Sequence, residues 1–349
     1  MNCSNNGSIS IPNSKTIRKS NFELLRIVCM LFIVSYHFLR YLVENDNVST
    51  PIVYKATWLP LHIAVICFVL ISGYFHIRPT FKGALKLLLP VLVYYAIPCF
   101  IVRCCGITDY IGGGQQTVFF LSKSPYWFIK TYFCLFLISP MLNYYLDNTS
   151  FRNKMFLLLS LLFISVYGSI MDDNAYVGGK NIALFMTVYV IGDILKDREK
   201  QLEKVSVYWC FLVWLVFNIV LFFSFILTDG SKMSGYIWKF SFPYSSPLLI
   251  VNAVLFFLLF SKIKVRSKLI NSIAVSIFSV YIITGNPLIE YLLLFPTLEK
   301  IVDSFGCGIN TIGIIILFAT IVVIASVLVD KIFKPFFNYS IEKLSKMRG

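Results

Sequence analysis

Ten apolar runs follow one another along the chain, and short polar segments separate them. A helix crosses the hydrocarbon core of a bilayer with about 20 consecutive apolar residues, so each run predicts one membrane-spanning helix. Single Gly, Pro or polar residues interrupt several runs, as membrane helices tolerate. The pattern predicts an all-α, polytopic integral membrane protein with about ten transmembrane helices, in runs near residues 22–43, 60–77, 84–105, 126–146, 154–170, 181–195, 206–228, 246–261, 270–294 and 310–333.

The composition leaves no room for a soluble domain of useful size. Of the 349 residues, 58% are hydrophobic and only 14% are charged, whereas soluble domains average about 25% charged residues. No linker or low-complexity segment divides the chain. We therefore expect one transmembrane domain over residues 21–335, preceded by a polar cytoplasmic tail over 1–20. The first apolar run of this domain is expected to act as an uncleaved signal anchor. A basic cytoplasmic tail is expected over 336–349.

The basic residues are distributed unevenly between alternate loops. Most of the 31 lysines and arginines fall in the two tails and in every second loop, and few fall in the loops between. Because positive charge is retained on the cytoplasmic side, this asymmetry places both termini in the cytoplasm and requires an even number of spans. It also explains the net charge of +14, so no nucleic-acid partner is expected.

The nine cysteines are scattered, mainly inside apolar runs. No CxxC pair and no Cys/His ligand spacing occurs among them. They are expected to fill apolar space, and the sequence supports neither a disulfide framework nor a metal site.

Aromatic residues are concentrated near the predicted outer ends of the helices. Two interpretations remain open: an aromatic belt at the membrane edge, or a surface on which sugar rings stack. The residues concerned are Trp58, Tyr110, Trp127, Tyr176, Tyr236, Trp238, Phe242 and Tyr244.

The first helix carries ionisable groups at a helical spacing. Arg26 and His37 are eleven residues apart, which brings them within about 20° of one face and separates them by about 16 Å along the axis. Glu23 and Arg40 extend the same stripe. Histidine is suited to proton transfer near neutral pH, and arginine supplies a fixed cation for phosphates. Charged groups at membrane depth are costly and mark functional sites.

The stripe predicts an anionic donor that enters from inside and proton chemistry deeper in the membrane. In the alternative reading, His37 only hydrogen-bonds a neighbouring helix and Arg26 only extends to the headgroups. The shared face favours the functional interpretation.

Further candidates lie near both ends of the predicted bundle. Ser72 and Tyr74 stand at the inner end of the second run, where small Ser72 and Gly73 permit close helix approach. The basic residues that follow, Arg78, Lys82 and Lys86, either hold phosphates or only obey the positive-inside rule.

Two candidates lie at the outer end of the fourth run, and one lies in the ninth. Trp127 and Lys130 enter the fourth run from outside, where Lys130 either contributes to a site or extends to the interface. Glu290 is the only acidic residue well inside the ninth run. It could pair with His37 or with a cation of another helix.

The chain resembles the acyltransferase-3 family, bacterial ten-helix membrane O-acyltransferases that act on cell-surface or exopolysaccharide. The most specific match is Arg26 followed after ten residues by His37. Weaker matches occur in the expected order at residues 68–75, 127–132, 138–143, 189–192, 242–247 and 259–262.

The resemblance implies transfer of an acetyl or succinyl group from cytoplasmic acyl-CoA to a hydroxyl of a surface or exported glycan, in a bacterial inner or plasma membrane. His37 would be the catalytic histidine and Arg26 its basic partner. Lys82 and Lys86 fall near a basic motif in which arginines are common. Thr284 stands where many members carry a histidine.

Acyl-CoA would be a co-substrate, and no permanently bound cofactor is implied. The partners would be membrane lipids, the acyl-CoA donor and a glycan or lipid-linked glycan acceptor. Arg26, Lys82 and Lys86 would hold the CoA phosphates, and His37 would act as general base or carry the acyl group transiently. A transporter or flippase of a lipid-linked sugar is the alternative, although such proteins more often show internal repeats.

Overall fold

A computed structural model describes residues 19–45, 51–106, 126–171, 179–306 and 311–347. Every regular element within these ranges is helical, so the predicted all-α class is confirmed. The helices are α1 (Ser20–Glu44), α2 (Pro51–His62), α3 (Ala64–Phe75), α4 (Phe81–Cys104), α5 (Trp127–Asp147), α6 (Phe151–Met171), α7 (Ile182–Asp197), α8 (Glu199–Leu202), α9 (Val207–Leu227), α10 (Lys232–Ser241), α11 (Pro247–Lys262), α12 (Lys268–Ala274), α13 (Ile277–Thr284), α14 (Pro287–Ile289), a π-helical turn (Glu290–Leu294), α15 (Phe295–Phe305) and α16 (Thr311–Lys346).

Several of these helices could cross a membrane. In the described ranges, five continuous helical segments are long and apolar enough: α1, α2 with α3, α4, α9 and α16. A sixth arises if α13 and the segment Pro287–Phe305, which meet at a bend of 62°, form one broken span. Each apolar run contains a helix, but the count of ten spans and the cytoplasmic position of both termini stay predictions.

Two boundaries differ from the sequence pattern. The second run begins at Pro51 and is divided at Ile63, just after Pro60. Pro60 itself lies inside α2, and the division falls one turn after it. At the other end of the chain, α16 continues to Lys346, so the tail expected from residue 336 begins inside a helix.

Helix α1 lies in the centre of the bundle. It packs against α2, α3, α11, α12, α13, α15 and α16. Its apolar side, including Phe22, Leu25 and Cys29, is fully buried. The charged stripe of α1 is more open than this apolar side: the side chains of Arg26 and His37 are 33% and 44% exposed.

Helices α3 and α7 approach each other very closely. A Cβ atom on Gly73 would overlap the carbonyl group of Tyr189, and one on Gly192 would lie 2.5 Å from the carbonyl oxygen of Leu70. Small residues at such crossings allow the backbones to approach closely. The contact joins two of the short motifs, residues 68–75 and 189–192, and confirms the close approach expected at Gly73.

The ninth apolar run is broken at Gly285, Asn286 and Pro287. The Asn286 side chain accepts a hydrogen bond from Leu288 N at 3.0 Å, and its amide nitrogen donates to the carbonyl oxygen of Tyr94 at 3.2 Å. Pro287 begins the next helical segment, where its missing amide hydrogen is not needed. The π-helical turn that follows carries Glu290, and π-turns inside helices often mark functional sites.

Candidate functional site

A cavity of about 540 Å³ runs along the charged face of α1. Arg26 and His37 both line it, together with Glu23 and Tyr36 of the same helix. The face predicted from the spacing of eleven residues therefore faces one continuous space. Other helices complete the wall with His62, Trp127, Tyr244, Tyr281 and Glu290.

His37 and Glu290 form the polar pair in this cavity. The Nδ1 atom of His37 lies 3.3 Å from Oε1 of Glu290, and the Glu290 side chain is only 15% exposed. A carboxylate beside Nδ1 favours the tautomer with hydrogen on Nδ1, since a carboxylate accepts hydrogen bonds. Nε2 then carries the lone pair and is the atom available for taking a proton.

Arg26 lies where two cavities meet. It lines the main cavity and also a second space of about 420 Å³, here called the mouth cavity, which is bounded by Ser72, His76, Lys86 and Tyr132. Its Nη1 atom donates a hydrogen bond to Oε1 of Glu23 at 2.9 Å. The Glu23 carboxylate is largely buried and fixes the orientation of the guanidinium.

The two candidate residues on α3, Ser72 and Tyr74, lie in different places. Ser72 lies at the mouth cavity, and its hydroxyl is 3.1 Å from that of Tyr132. Tyr74 lies elsewhere, at a groove that it shares with Glu199 and Lys262, and it is not among the residues that line either cavity of Arg26. Burial raises the pKa of Glu199, but hydrogen bonds from Tyr74 and Lys19 outweigh burial and hold this pKa below its usual value.

The basic residues after α3 also separate. Lys86 lines the mouth cavity with Arg26, whereas Arg78 and Lys82 are not among its lining residues.

On α5, Trp127 lines the main cavity. Lys130, one turn further along α5, is not among the residues of that wall. The structure thus brings Glu23, Arg26, His37, Trp127 and Glu290 to the main cavity, and Ser72 and Lys86 to its mouth.

A buried ionic network supports the mouth cavity, and the sequence analysis missed it. Nε2 of His76 lies 2.7 Å from Oδ1 of Asp193. Nζ of Lys154 lies 2.7 Å from Oδ2 of Asp193 and 2.6 Å from Oδ2 of Asp197. His76 has a positive φ of 57°, and the adjacent Ile77 amide donates to the Tyr189 hydroxyl at 2.9 Å. The network fixes the connection that leads into α4.

The sequence analysis also missed His62. Its ring is stacked between Phe242 and Tyr244, at centroid distances of 4.3 and 4.2 Å. It also meets Tyr36 edge-on at 5.0 Å. The available signal was an ionisable side chain inside an apolar run, the same criterion that identified His37.

Five of the aromatic residues predicted at the outer ends form a cluster beside the cavity, namely Trp58, Trp127, Trp238, Phe242 and Tyr244, whereas Tyr236 is exposed. Trp238 stacks on Phe242 at 3.9 Å, and Trp58 lies 5.8 Å from Phe242. Trp127, whose ring is 5.0 Å from that of Tyr244, connects the cluster with the cavity wall. Tyr110 and Tyr176 lie outside the described residues.

Thr284 lies beside His37 at a small void but does not act on it directly. Its hydroxyl donates to the carbonyl oxygen of Val280, at 2.9 Å within its own helix. In the described part of the chain, no group of three or more His, Cys, Asp or Glu side chains is placed to hold a metal ion.

The fold and the cavity define an all-helical membrane protein in which a histidine–glutamate pair and an arginine line one internal space. A family model described as an acyltransferase domain, of the acyltransferase-3 family, matches residues 19–331. The chain therefore belongs to the acyltransferase-3 family, which makes it a membrane acyltransferase. Searches among curated proteins and among solved structures gave no match.

Proposed function

We propose that the protein transfers an acetyl group, or a succinyl group, from cytoplasmic acyl-CoA to a hydroxyl of a surface or exported glycan. The observation that carries the proposal is the single cavity that has Arg26 near one end and the His37–Glu290 pair further along. A cation for phosphates and a base for a hydroxyl thus share one space.

The donor is held at the mouth cavity. Arg26 and Lys86 are the arginine and the lysine in its lining, and they neutralise the CoA phosphates there. Arginine binds phosphate oxygens through paired N–H groups, while lysine acts as a point charge. From this position the pantetheine arm extends into the main cavity. The axial separation of Arg26 and His37, about 16 Å, is comparable to the length of that arm and brings the thioester close to His37.

His37 acts as general base on the acceptor. Its Nε2 takes the proton of the acceptor hydroxyl while the hydroxyl oxygen attacks the thioester carbonyl carbon. The tetrahedral intermediate then collapses, the C–S bond breaks, and the CoA thiolate receives the proton from His37. Glu290 stabilises the imidazolium that exists between these two proton transfers.

The acceptor enters from the outer side, in this proposal. Trp127 and Tyr244 supply aromatic faces on the cavity wall, and sugar rings stack on such faces through their C–H groups. Membership of an acyltransferase family favours this function over a transporter of lipid-linked sugars, although a broken helix also occurs in transporters.

The experiment compares O-acylation of cell-surface polysaccharide by NMR in the native host after deletion of the gene. The deletion strain is complemented with wild type, with His37→Ala, or with empty vector, and equal membrane levels of both proteins are confirmed. An O-acyl signal that returns only with wild type supports the proposal and identifies the acyl group. Equal signals for wild type and His37→Ala would show that His37 is not catalytic. No difference between any of the three strains would contradict the transferase function.

A further inference from the structure

His62 occupies a slot of aromatic rings in the wall of the main cavity. Phe242 and Tyr244 cover the two faces of its imidazole, and the residue is only 6% exposed. A phenylalanine would fill the same slot with similar ring contacts. The polar atoms of His62 are therefore not needed for packing.

One ring nitrogen of His62 lacks a partner. Nδ1 is buried, and no hydrogen-bonding group among the described residues reaches it. A buried polar atom without a partner costs about 1–3 kcal/mol, and native structures keep few of them. Since Nδ1 is sealed off while the residue lines the cavity, only the Nε2 side of the imidazole can meet a ligand there.

His62 and His37 belong to the same part of the wall. The ring of Tyr36 contacts both of them, with centroid distances of 5.0 Å to His62 and 5.9 Å to His37. A molecule whose hydroxyl reaches His37 therefore also passes close to His62. Sugars present hydroxyl groups on adjacent carbons, so a sugar held in this part of the cavity has more than one hydroxyl to offer to the wall.

We propose that His62 is a substrate-contacting residue that selects the acceptor hydroxyl. Through Nε2, it forms a hydrogen bond with the sugar hydroxyl adjacent to the one that His37 deprotonates. His62 moves no proton in this step. The inference rests on the proposed function and adds the residue that determines which hydroxyl becomes acylated. A site that hydrogen-bonds a substrate hydroxyl discriminates more strongly than apolar contact alone.

The test uses two substitutions of His62 and one matched control. His62→Phe keeps the ring stack and removes both nitrogens, and His62→Gln keeps a hydrogen-bonding group. The control is Trp214→Phe, which removes another buried ring nitrogen without a partner from a residue that is not among the lining residues of the cavity. Each full-length variant is assayed in membranes with labelled acetyl-CoA and the host polysaccharide, and the acylated positions are read by NMR.

The expected result is a loss of transfer with intact folding. His62→Phe should melt no lower than wild type, yet its kcat should fall at least tenfold, with acyl groups spread over more than one hydroxyl. Its KM for acetyl-CoA should stay within about twofold, because the donor is held at the mouth cavity. His62→Gln should retain more activity than His62→Phe and keep a single acylated position, and Trp214→Phe should match wild type.

Two results would overturn the inference in different ways. If His62→Phe transfers acyl groups at the wild-type rate and to the wild-type position, His62 only packs, while the proposed function stands. If His62→Phe does not fold, His62→Gln is compared with Trp214→Phe instead. Losses of rate and of positional selectivity that are the same in these two variants would again mean that His62 only packs. If wild-type membranes transfer no label, the proposed function itself fails, and the role of His62 fails with it.

Discussion

Nδ1 of His37 lies 3.3 Å from Oε1 of Glu290, across the cavity wall between α1 and the π-helical turn. The pair exists because the ninth run bends by 62° before Glu290. The Asn286 cap and Pro287 hold that bend and bring a carboxylate from a distant part of the sequence to the histidine of α1.

Glu290→Gln should therefore slow the reaction without weakening donor binding. The amide keeps the shape of the side chain but no longer stabilises an imidazolium. General acid–base groups contribute about 10²–10⁴-fold, and we expect a fall of about 10²-fold in kcat with KM for acetyl-CoA unchanged. Steady-state transfer assays in membranes measure both constants.

Glu299→Gln is the matched control for this substitution. Glu299 accepts a hydrogen bond from Tyr41 at 2.7 Å and is not among the residues that line the main cavity. Its kcat should stay within about threefold of wild type. An equal fall for both variants would mean that Glu290 acts through stability and not through His37.

Arg26→Ala and Lys86→Ala should weaken binding of the donor. Hydrogen bonds to charged groups contribute about 1.5–3 kcal/mol, so KM for acetyl-CoA should rise at least tenfold for Arg26→Ala. The rise should be smaller for Lys86→Ala, because an ammonium makes no paired contact. Lys82→Ala serves as control and should change KM by less than about twofold. If Lys82→Ala and Lys86→Ala raised KM for acetyl-CoA equally, the CoA phosphates would lie along the start of α4 instead.

Gly192→Ala should destabilise the contact between α3 and α7. The new methyl group would lie 2.5 Å from the carbonyl oxygen of Leu70, and overpacking of this kind costs about 1–3 kcal/mol. Gly235→Ala is the control, since a Cβ there meets no atom within 4 Å. Thermal unfolding of the purified proteins in one detergent should show a lower transition for Gly192→Ala alone.

Asp193→Asn should disrupt the support of the mouth cavity. The substitution removes the carboxylate that both His76 and Lys154 contact, and breaking a buried ion pair costs about 3–5 kcal/mol. Asp147→Asn is the control, because Asp147 is 62% exposed and 3.8 Å from His76; exposed pairs contribute less than about 1 kcal/mol. Thermal unfolding should show a lower transition temperature for Asp193→Asn than for Asp147→Asn. Similar transition temperatures for the two variants would show that Asp193 does not support the mouth cavity.

The shared face of Arg26 and His37 was predictable because a helix repeats locally. Their spacing fixes their mutual direction whatever the neighbouring helices do. The close contact at Gly73 was likewise indicated by small residues. The pairing of Gly73 with Gly192 on α7 was not predictable, since which two helices pack together depends on the whole bundle.

Other parts of the site depend on tertiary structure. Glu290 could be singled out as an intramembrane acid, but its partner depends on the bend at Asn286 and Pro287. Tyr74 shares a short motif with Ser72, yet helical positions two residues apart point to nearly opposite sides, about 200° around the axis. Tyr74 therefore faces Glu199 instead of Arg26. His62 gave a usable signal, but its aromatic slot is assembled from α2 and from the segment before α11.

The most direct test of the central claim measures transfer of labelled acetyl groups in membrane vesicles of defined orientation. Inside-out vesicles expose the cytoplasmic face, on which the proposed function places the mouth cavity, to added acetyl-CoA. We expect label in the enclosed polysaccharide with wild type, none above background with His37→Ala, and none in right-side-out vesicles. Equal labelling with His37→Ala, or labelling that depends on acetyl-CoA at the outer face, would contradict the account.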